Sequence, residues 1–172
     1  MNPAETDIWT FMSVEEISFQ GEFADIAYKQ IDPKAARGMS QVFSSIHSFL
    51  SHCAMISKML RADDGGGRTI GMLLSVSSSS AIHDRKLRNC LEHYDKELKK
   101  WIAKHGVNQM IGTYNLGPKS GFGAHGMLYV SHYDPSSHTF TFVNEDFDLA
   151  ALHAESRRIR SVADSWRIPK RP

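Results

Sequence analysis

Cysteine is scarce. Only Cys53 and Cys90 occur in 172 residues, too few for the disulfide framework of a small secreted domain. Both fall where helical periodicity points inward, so they read as small buried apolar residues in a reducing compartment. Neither has a neighbouring pattern that would activate a thiolate, which argues against nucleophilic catalysis. An excess of either charge is also missing: 20 Lys and Arg offset 19 Asp and Glu, for a formal net charge of +1. With no net field to recruit nucleic acid or an anionic membrane, polyanion binding must come from a local patch. No stretch approaches the roughly 20 consecutive apolar residues of a membrane span. The N-terminal residues lack the basic and apolar regions of a signal peptide, and there is no internal repeat. The expected location is the cytoplasm, with no membrane partner.

What is present is core-forming material. A hydrophobic fraction of 41% with 10% aromatics argues against disorder, and the length suits one folded unit over residues 1–172. Ser13-Val14-Glu15-Glu16 reads as a capping box that opens a first helix ending near Gln30. Asp32-Pro33 is a second start signal. After it Met39, Val42, Phe43, Ile46, Phe49, Leu50, Cys53, Ile56 and Leu60 repeat at three and four, predicting one long core-facing helix over about 33–62.

Asp63-Asp64-Gly65-Gly66-Gly67 breaks that helix, since glycine has a high entropic cost in regular structure. Ile70 to Val76 form a short element. Ser77 to Ser80 end one helix and cap the next rather than link two domains. A further helix from about Ala81 to Lys104 carries the stripe Leu87, Leu91, Tyr94, Leu98, Trp101 and Ile102, and His105-Gly106 stops it.

From Gln109 to Asn144 the pattern turns β-rich: Met110 to Tyr114, Leu128 to Tyr133 and Thr139 to Val143, the last two joined by a turn at Asp134-Pro135-Ser136-Ser137. Asp148 caps a final helix with Leu149, Leu152, Ile159, Val162 and Trp166 at helical spacing, and residues 167–172 form a basic tail. The expected fold is mainly α, a bundle of four or five helices with an antiparallel β-hairpin inserted at about 109–144.

The polar chemistry concentrates on the Ala81–Lys104 helix. At about 100° per residue, Arg85, Asn89 and His93 fall together opposite the apolar stripe, with Arg88 on the flank and long enough to reach an anion beside His93. Arg88-Asn89-Cys90-Leu91-Glu92-His93 resembles the R-x4-6-H motif of the HEPN superfamily, the higher eukaryotes and prokaryotes nucleotide-binding domains. Long helices before the motif and one after it resemble the HEPN bundle over most of the chain, whereas the hairpin is an addition that the basic bundle does not need.

The resemblance implies a metal-independent endoribonuclease, often a toxin or defence effector. It also implies a homodimer whose two motifs line one cleft, RNA as substrate, and an antitoxin as a further partner. In that reading His93 is the general acid/base, Arg88 binds the phosphate and stabilises the transition state, and Asn89 orients the histidine or a phosphate oxygen. The product is a 2′,3′-cyclic phosphate, with no metal and no cofactor. The alternative is a non-catalytic HEPN-like interaction or nucleotide-binding module. A face of Arg, Lys, Glu, Asp and His is ordinarily a solvated surface, with Glu92 or Asp95 free to pair with Lys96, Lys99 or Arg88.

Other signals weigh less. Gly121-Phe122-Gly123-Ala124-His125-Gly126 matches G-x-G-x-x-G, but a strand follows it rather than a helix, so no helix N-terminus awaits a phosphate; with Asn115, Pro118 and Lys119 it reads as a surface loop. Nine histidines invite a metal, yet none has a recognised ligand spacing. His125, His132 and His138 are the nearest grouping, and surface histidines are the simpler reading. Arg157, Arg158 and Arg160, with Arg85, are the candidate nucleic-acid contacts, against the plainer reading of an amphipathic helix's polar side. Trp166 lies on the apolar stripe and is expected in the core rather than stacking on a base.

Overall fold

The computed structural model describes residues 3–34, 38–61, 66–84, 86, 92–105, 110–118, 127–143 and 145–167. In chain order the elements are helices α1 (Pro3–Lys29), α2 (Met39–Met59) and α3 (Gly66–Leu73), a 3-10 turn (Ala81–His83) and helix α4 (Tyr94–His105). Strands β1 (Met110–Leu116), β2 (Met127–Asp134), β3 (Thr139–Phe142) and β4 (Glu145–Asp148) follow, and helix α5 (Leu149–Arg167) closes the series. The chain divides into two compact units, Met1–Asp84 with Ala151–Pro172, and Arg85–Ala150.

The first unit is helical. α2 supplies its centre: Val42, Phe43, Ile46, Phe49, Leu50, Cys53 and Ile56 are buried at the three-and-four spacing of the sequence. α1 contributes Val14, Ile17, Ala24 and Ala27, and α5 contributes Leu152, Ile159 and Ala163. Phe49 is fully buried, with Tyr28 at 5.3 Å and His153 at 6.3 Å between ring centroids.

Several expected boundaries move. α1 starts at Pro3 rather than at Ser13, because a proline at the first helical turn starts a helix where its missing N–H costs nothing. Ser13 is then a buried residue inside the helix, not its cap. α2 starts at Met39, not after Pro33: the Asp32 carboxylate accepts from Lys34 N at 2.8 Å in a local turn, and Gly38 at φ +149 precedes the helix. α3 begins at Gly66, inside the expected glycine break. Trp166 is 53% exposed and does not join the core.

Gly21 is required by the approach of α5. A Cβ built there would lie 2.7 Å from Arg160 Cβ, a contact that rotamer change of the arginine cannot relieve. Gly21→Ala should therefore destabilise the unit, although alanine is the better helix former by about 1 kcal/mol. A lower urea midpoint than that of the parent chain checks this.

The second unit corrects the expected hairpin insertion. A turn at Asp134, whose Oδ1 accepts from Ser136 N at 2.9 Å, does join β2 to β3 in antiparallel register, Ser131 opposite Phe142 and Asp134 opposite Thr139. To this pair β1 adds on one side in parallel, Met110 opposite Met127 and Leu116 opposite Tyr133. β4 adds on the other side antiparallel, Thr139 opposite Asp148. The result is a four-stranded mixed sheet of order β1-β2-β3-β4, so the fold is α plus a mixed sheet and not a helical bundle with a single hairpin. The physical reason is pairing demand: the central strands β2 and β3 each leave one row of backbone N–H and C=O groups unsatisfied in an isolated hairpin, and the flanking strands satisfy it. Val130, Tyr133, Phe140, Phe142 and Phe147 are buried, with Phe140 and Phe147 stacked at 6.3 Å. Within the same unit Tyr94 of α4 stacks on Phe142 at 4.8 Å and Trp101 is buried, whereas Ile102, expected on the same stripe, is 44% exposed.

Candidate functional site

The expected helix from Ala81 to Lys104 is not continuous. Ala81–His83 is one 3-10 turn capped by Ser80 Oγ, Asp84 is extended at φ −62 and ψ 113, and His93 is a turn residue directly before α4. Serine and aspartate side chains compete for backbone donors and favour such short capped turns over helix interior. Arg85, Arg88 and Asn89 lie outside the described residues, as do Cys90, His125 and the Gly121–Gly126 segment.

His93 is exposed. Its carbonyl accepts from Lys96 N and Glu97 N, both at 3.0 Å, so its backbone anchors the first turn of α4 while its side chain stands in solvent. The acidic residues of that first turn are Asp95 and Glu97, and Glu97 holds Lys100 at 2.7 Å.

The remaining described histidines are occupied. His52 Nδ1 meets Gln20 Oε1 at 2.7 Å, His132 Nδ1 meets Asn115 Nδ2 at 2.9 Å, and His138 Nδ1 meets the Tyr133 hydroxyl at 3.1 Å. The His105 ring lies tilted against Trp101, with 5.4 Å between centroids. His47 is largely enclosed, and burial pushes its imidazole below the usual value, as it does for His52. Among the described residues no group of three or more metal-ligating side chains assembles, and His132 and His138 have the partners just named.

Two histidines sit in built polar clusters that the sequence did not reveal. His153 Nε2 meets Asp25 Oδ1 at 2.8 Å, Lys29 Nζ donates to Asp25 Oδ2 at 2.6 Å, and Tyr28 stacks on the imidazole at 3.8 Å. Burial alone would raise the Asp25 carboxyl, but the hydrogen bonds and charges of Lys29 and His153 outweigh it and hold the group below its ordinary value of 3.8. A lowered folded-state value contributes stability that is present above the unfolded value and lost as pH falls through the folded one. Urea midpoints measured across that acid range should therefore fall more steeply for the parent chain than for Asp25→Asn.

The second cluster edges an open cleft of about 460 Å³ lined by Ser75, Ser77, Ser80, Ala81, Glu155 and Arg158. Arg158 grips Glu155 with two bonds, Nε to Oε2 at 2.8 Å and Nη2 to Oε1 at 2.9 Å, and Ser80 Oγ donates to Oε1 at 2.6 Å. The Arg158 hydrogen bond holds the Glu155 carboxyl low against the opposing effect of burial. Beyond it Arg61 Nε donates to His83 Nδ1 at 3.1 Å, and its Nη2 donates to the His83 carbonyl at 2.6 Å. Burial first, then the Arg61 charge, keeps His83 neutral to lower pH than usual. A Glu-x-x-Arg spacing on a helix is too common to signal this, and Ser80 lies 75 positions from Glu155.

Of the expected nucleic-acid contacts, Arg157 is exposed, Arg158 is held by Glu155, and Arg160 meets Glu22 at 3.3 Å and Asp164 at 3.5 Å. Two of the three guanidinium groups thus have carboxylate partners within the chain. Among the described residues no helix is long and apolar enough to cross a membrane. The chain matches no family model, no curated protein and no solved structure.

Proposed function

We propose that the chain is a metal-independent endoribonuclease of HEPN type. The observation that carries this reading is the state of His93 at the end of the Arg88-to-His93 motif: it is exposed, as His138 is, but where the His138 ring meets the Tyr133 hydroxyl, the His93 imidazole makes no hydrogen bond, ion pair or ring contact among the described residues. A general acid/base must exchange a proton with substrate, and a ring already committed to a protein partner does that poorly.

The proposed step is transesterification. The ribose 2′-oxygen attacks the adjacent phosphorus, the 5′-oxygen leaves, and a 2′,3′-cyclic phosphate and a 5′-hydroxyl result. His93 carries the proton between the attacking and leaving oxygens, Arg88 neutralises charge on the phosphorane, and Asn89 orients the histidine or a phosphate oxygen. By the same resemblance the working unit is a homodimer in the cytoplasm, with a toxin or defence role restrained by an antitoxin. Incubating purified chain with RNA in EDTA tests the reading: cleavage by the parent chain that is lost in His93→Ala supports it, and equal activity in the two rejects it.

A second reading is a non-catalytic interaction module. It is favoured by Arg158 and Arg160, whose internal carboxylate partners leave the basic segment with little charge to offer an RNA backbone.

A further inference from the structure

His83 stands where the chain is about to leave the helical unit, which ends at Asp84. The turn that carries it, Ala81–His83, is closed by two backbone bonds, His83 N to Ser80 O at 3.0 Å and Asp84 N to Ala81 O at 3.1 Å. So short a piece of 3-10 helix has little stability of its own, and side chains must hold it in place. On one side Ser80 Oγ accepts from Ile82 N at 3.4 Å and donates to Glu155 Oε1 of α5 at 2.6 Å. On another, Arg61, two residues past α2, donates to the His83 ring through Nε and to the His83 carbonyl through Nη2.

The ring bond has a fixed polarity. A guanidinium is always charged and only donates, so His83 Nδ1 offers a lone pair and the ring proton sits on Nε2. An imidazolium carries N–H on both nitrogens and cannot accept. One proton therefore turns a charge-assisted hydrogen bond into two cations facing each other. His52, His138 and His153 meet an amide oxygen, a hydroxyl and a carboxylate, partners that tolerate or favour a charged ring, whereas the partner of His83 does not.

Two charges act on His83: Arg61 opposes protonation, and Glu155 of α5 favours it. Glu155 is itself gripped by Arg158 and Ser80, and Asp84, next in the chain, is exposed. Arg61 makes no ion pair among the described residues, so no carboxylate there takes up its charge once the ring turns away. Burial and Arg61 hold the ring below its ordinary value of 6.5. Such a group contributes stability that is present above 6.5 and lost as pH falls towards the lower folded value.

We infer that His83 is a proton-sensitive latch: neutral, it ties the Ala81–His83 turn to the end of α2 through Arg61, and protonated, it drops the Arg61 ring bond and frees the segment by which the chain leaves the helical unit. The released ring swings towards Glu155, and Ser80 and Ala81, which line the cleft, shift with it. Nothing in this device depends on His93 or on RNA cleavage.

Hydrogen exchange of the full chain, corrected for intrinsic rates, tests the latch at about pH 8 and about pH 5, the span over which histidines change charge. In the parent chain the His83 and Asp84 amides should open at least about tenfold more readily at the acid end, about 1.4 kcal/mol, while residues 42–56 of α2 keep their protection. His83→Asn places an amide oxygen where Nδ1 stands and takes no proton, so it should hold the turn at both pH values and abolish the difference. His47 and His52, which burial shifts in the same direction, are intact in that variant, so a difference that persists belongs to them and overturns the inference. Should His83→Asn fail to fold, Arg61→Leu serves instead: its turn should open at about pH 8 as readily as the parent's does at about pH 5, and protection equal to the parent's at the higher pH overturns the inference. Proton–nitrogen correlation spectra of the imidazole read the bond directly. The Nε2–H tautomer is expected in the neutral ring; the Nδ1–H tautomer, or equal opening of the parent at the two pH values, overturns the latch.

Discussion

His93→Ala is expected to lower the RNA-cleavage rate about 100- to 10,000-fold, the usual contribution of a positioned general acid/base. The fold should be untouched, because the side chain is exposed and the part of His93 that anchors α4 is its carbonyl, bonded to Lys96 N and Glu97 N, which alanine retains. Activity and circular dichroism measured on the same preparations separate the two contributions. EDTA should leave the parent rate unchanged, since the proposed step uses imidazole and guanidinium rather than a metal-bound water. Arg88→Ala should act in the same assay and in the same direction. If the parent chain cleaves no RNA in any condition, the interaction reading stands in place of catalysis.

Phe49→Ala is expected to cost about 3–5 kcal/mol, the range for removing a fully enclosed aromatic ring. Phe49 has no exposed surface and stands between Tyr28 of α1 and His153 of α5, so its loss opens a cavity against three helices at once. His153 also holds Asp25, and a ring that shifts into the void would loosen that ion pair as well. For a chain of this size the melting temperature should fall by roughly 6–20 °C. Differential scanning calorimetry checks this, and a drop of under about 2 °C would mean that the site collapses without a cavity.

The sequence made α2 legible because its signal is local and redundant. From Val42 to Ile56 every apolar residue at the three-and-four spacing is buried, and only the ends of the helix moved. α1 was misplaced at its start because two valid start signals competed, and the stronger-looking capping box at Ser13 lay inside a helix already begun at Pro3. The sheet was half legible. A turn such as Asp134–Ser137 is encoded in adjacent residues, but β1's parallel partner is a non-local choice. β4, Glu145-Asp146-Phe147-Asp148, reads as anything but a strand by propensity, and pairing with β3 and the burial of Phe147 override that. The motif ending at His93, on which the proposed site rests, is a reading of sequence spacing alone, since Arg88 and Asn89 lie outside the described residues. The Glu155, Arg158 and Ser80 cluster and the Asp25–His153 pair bring together residues 75 and 128 positions apart, which no window of sequence displays.

The helical unit is assembled from both ends of the chain, with α5 fitted against Gly21 of α1 through Arg160. During synthesis, at about 5–20 residues per second, α1 and α2 leave the ribosome several seconds before α5 exists. In that interval the surfaces α5 will cover, Gly21 and the ring of Phe49 among them, are open to chaperones and proteases. The sheet-bearing unit, being one uninterrupted stretch, has no such wait.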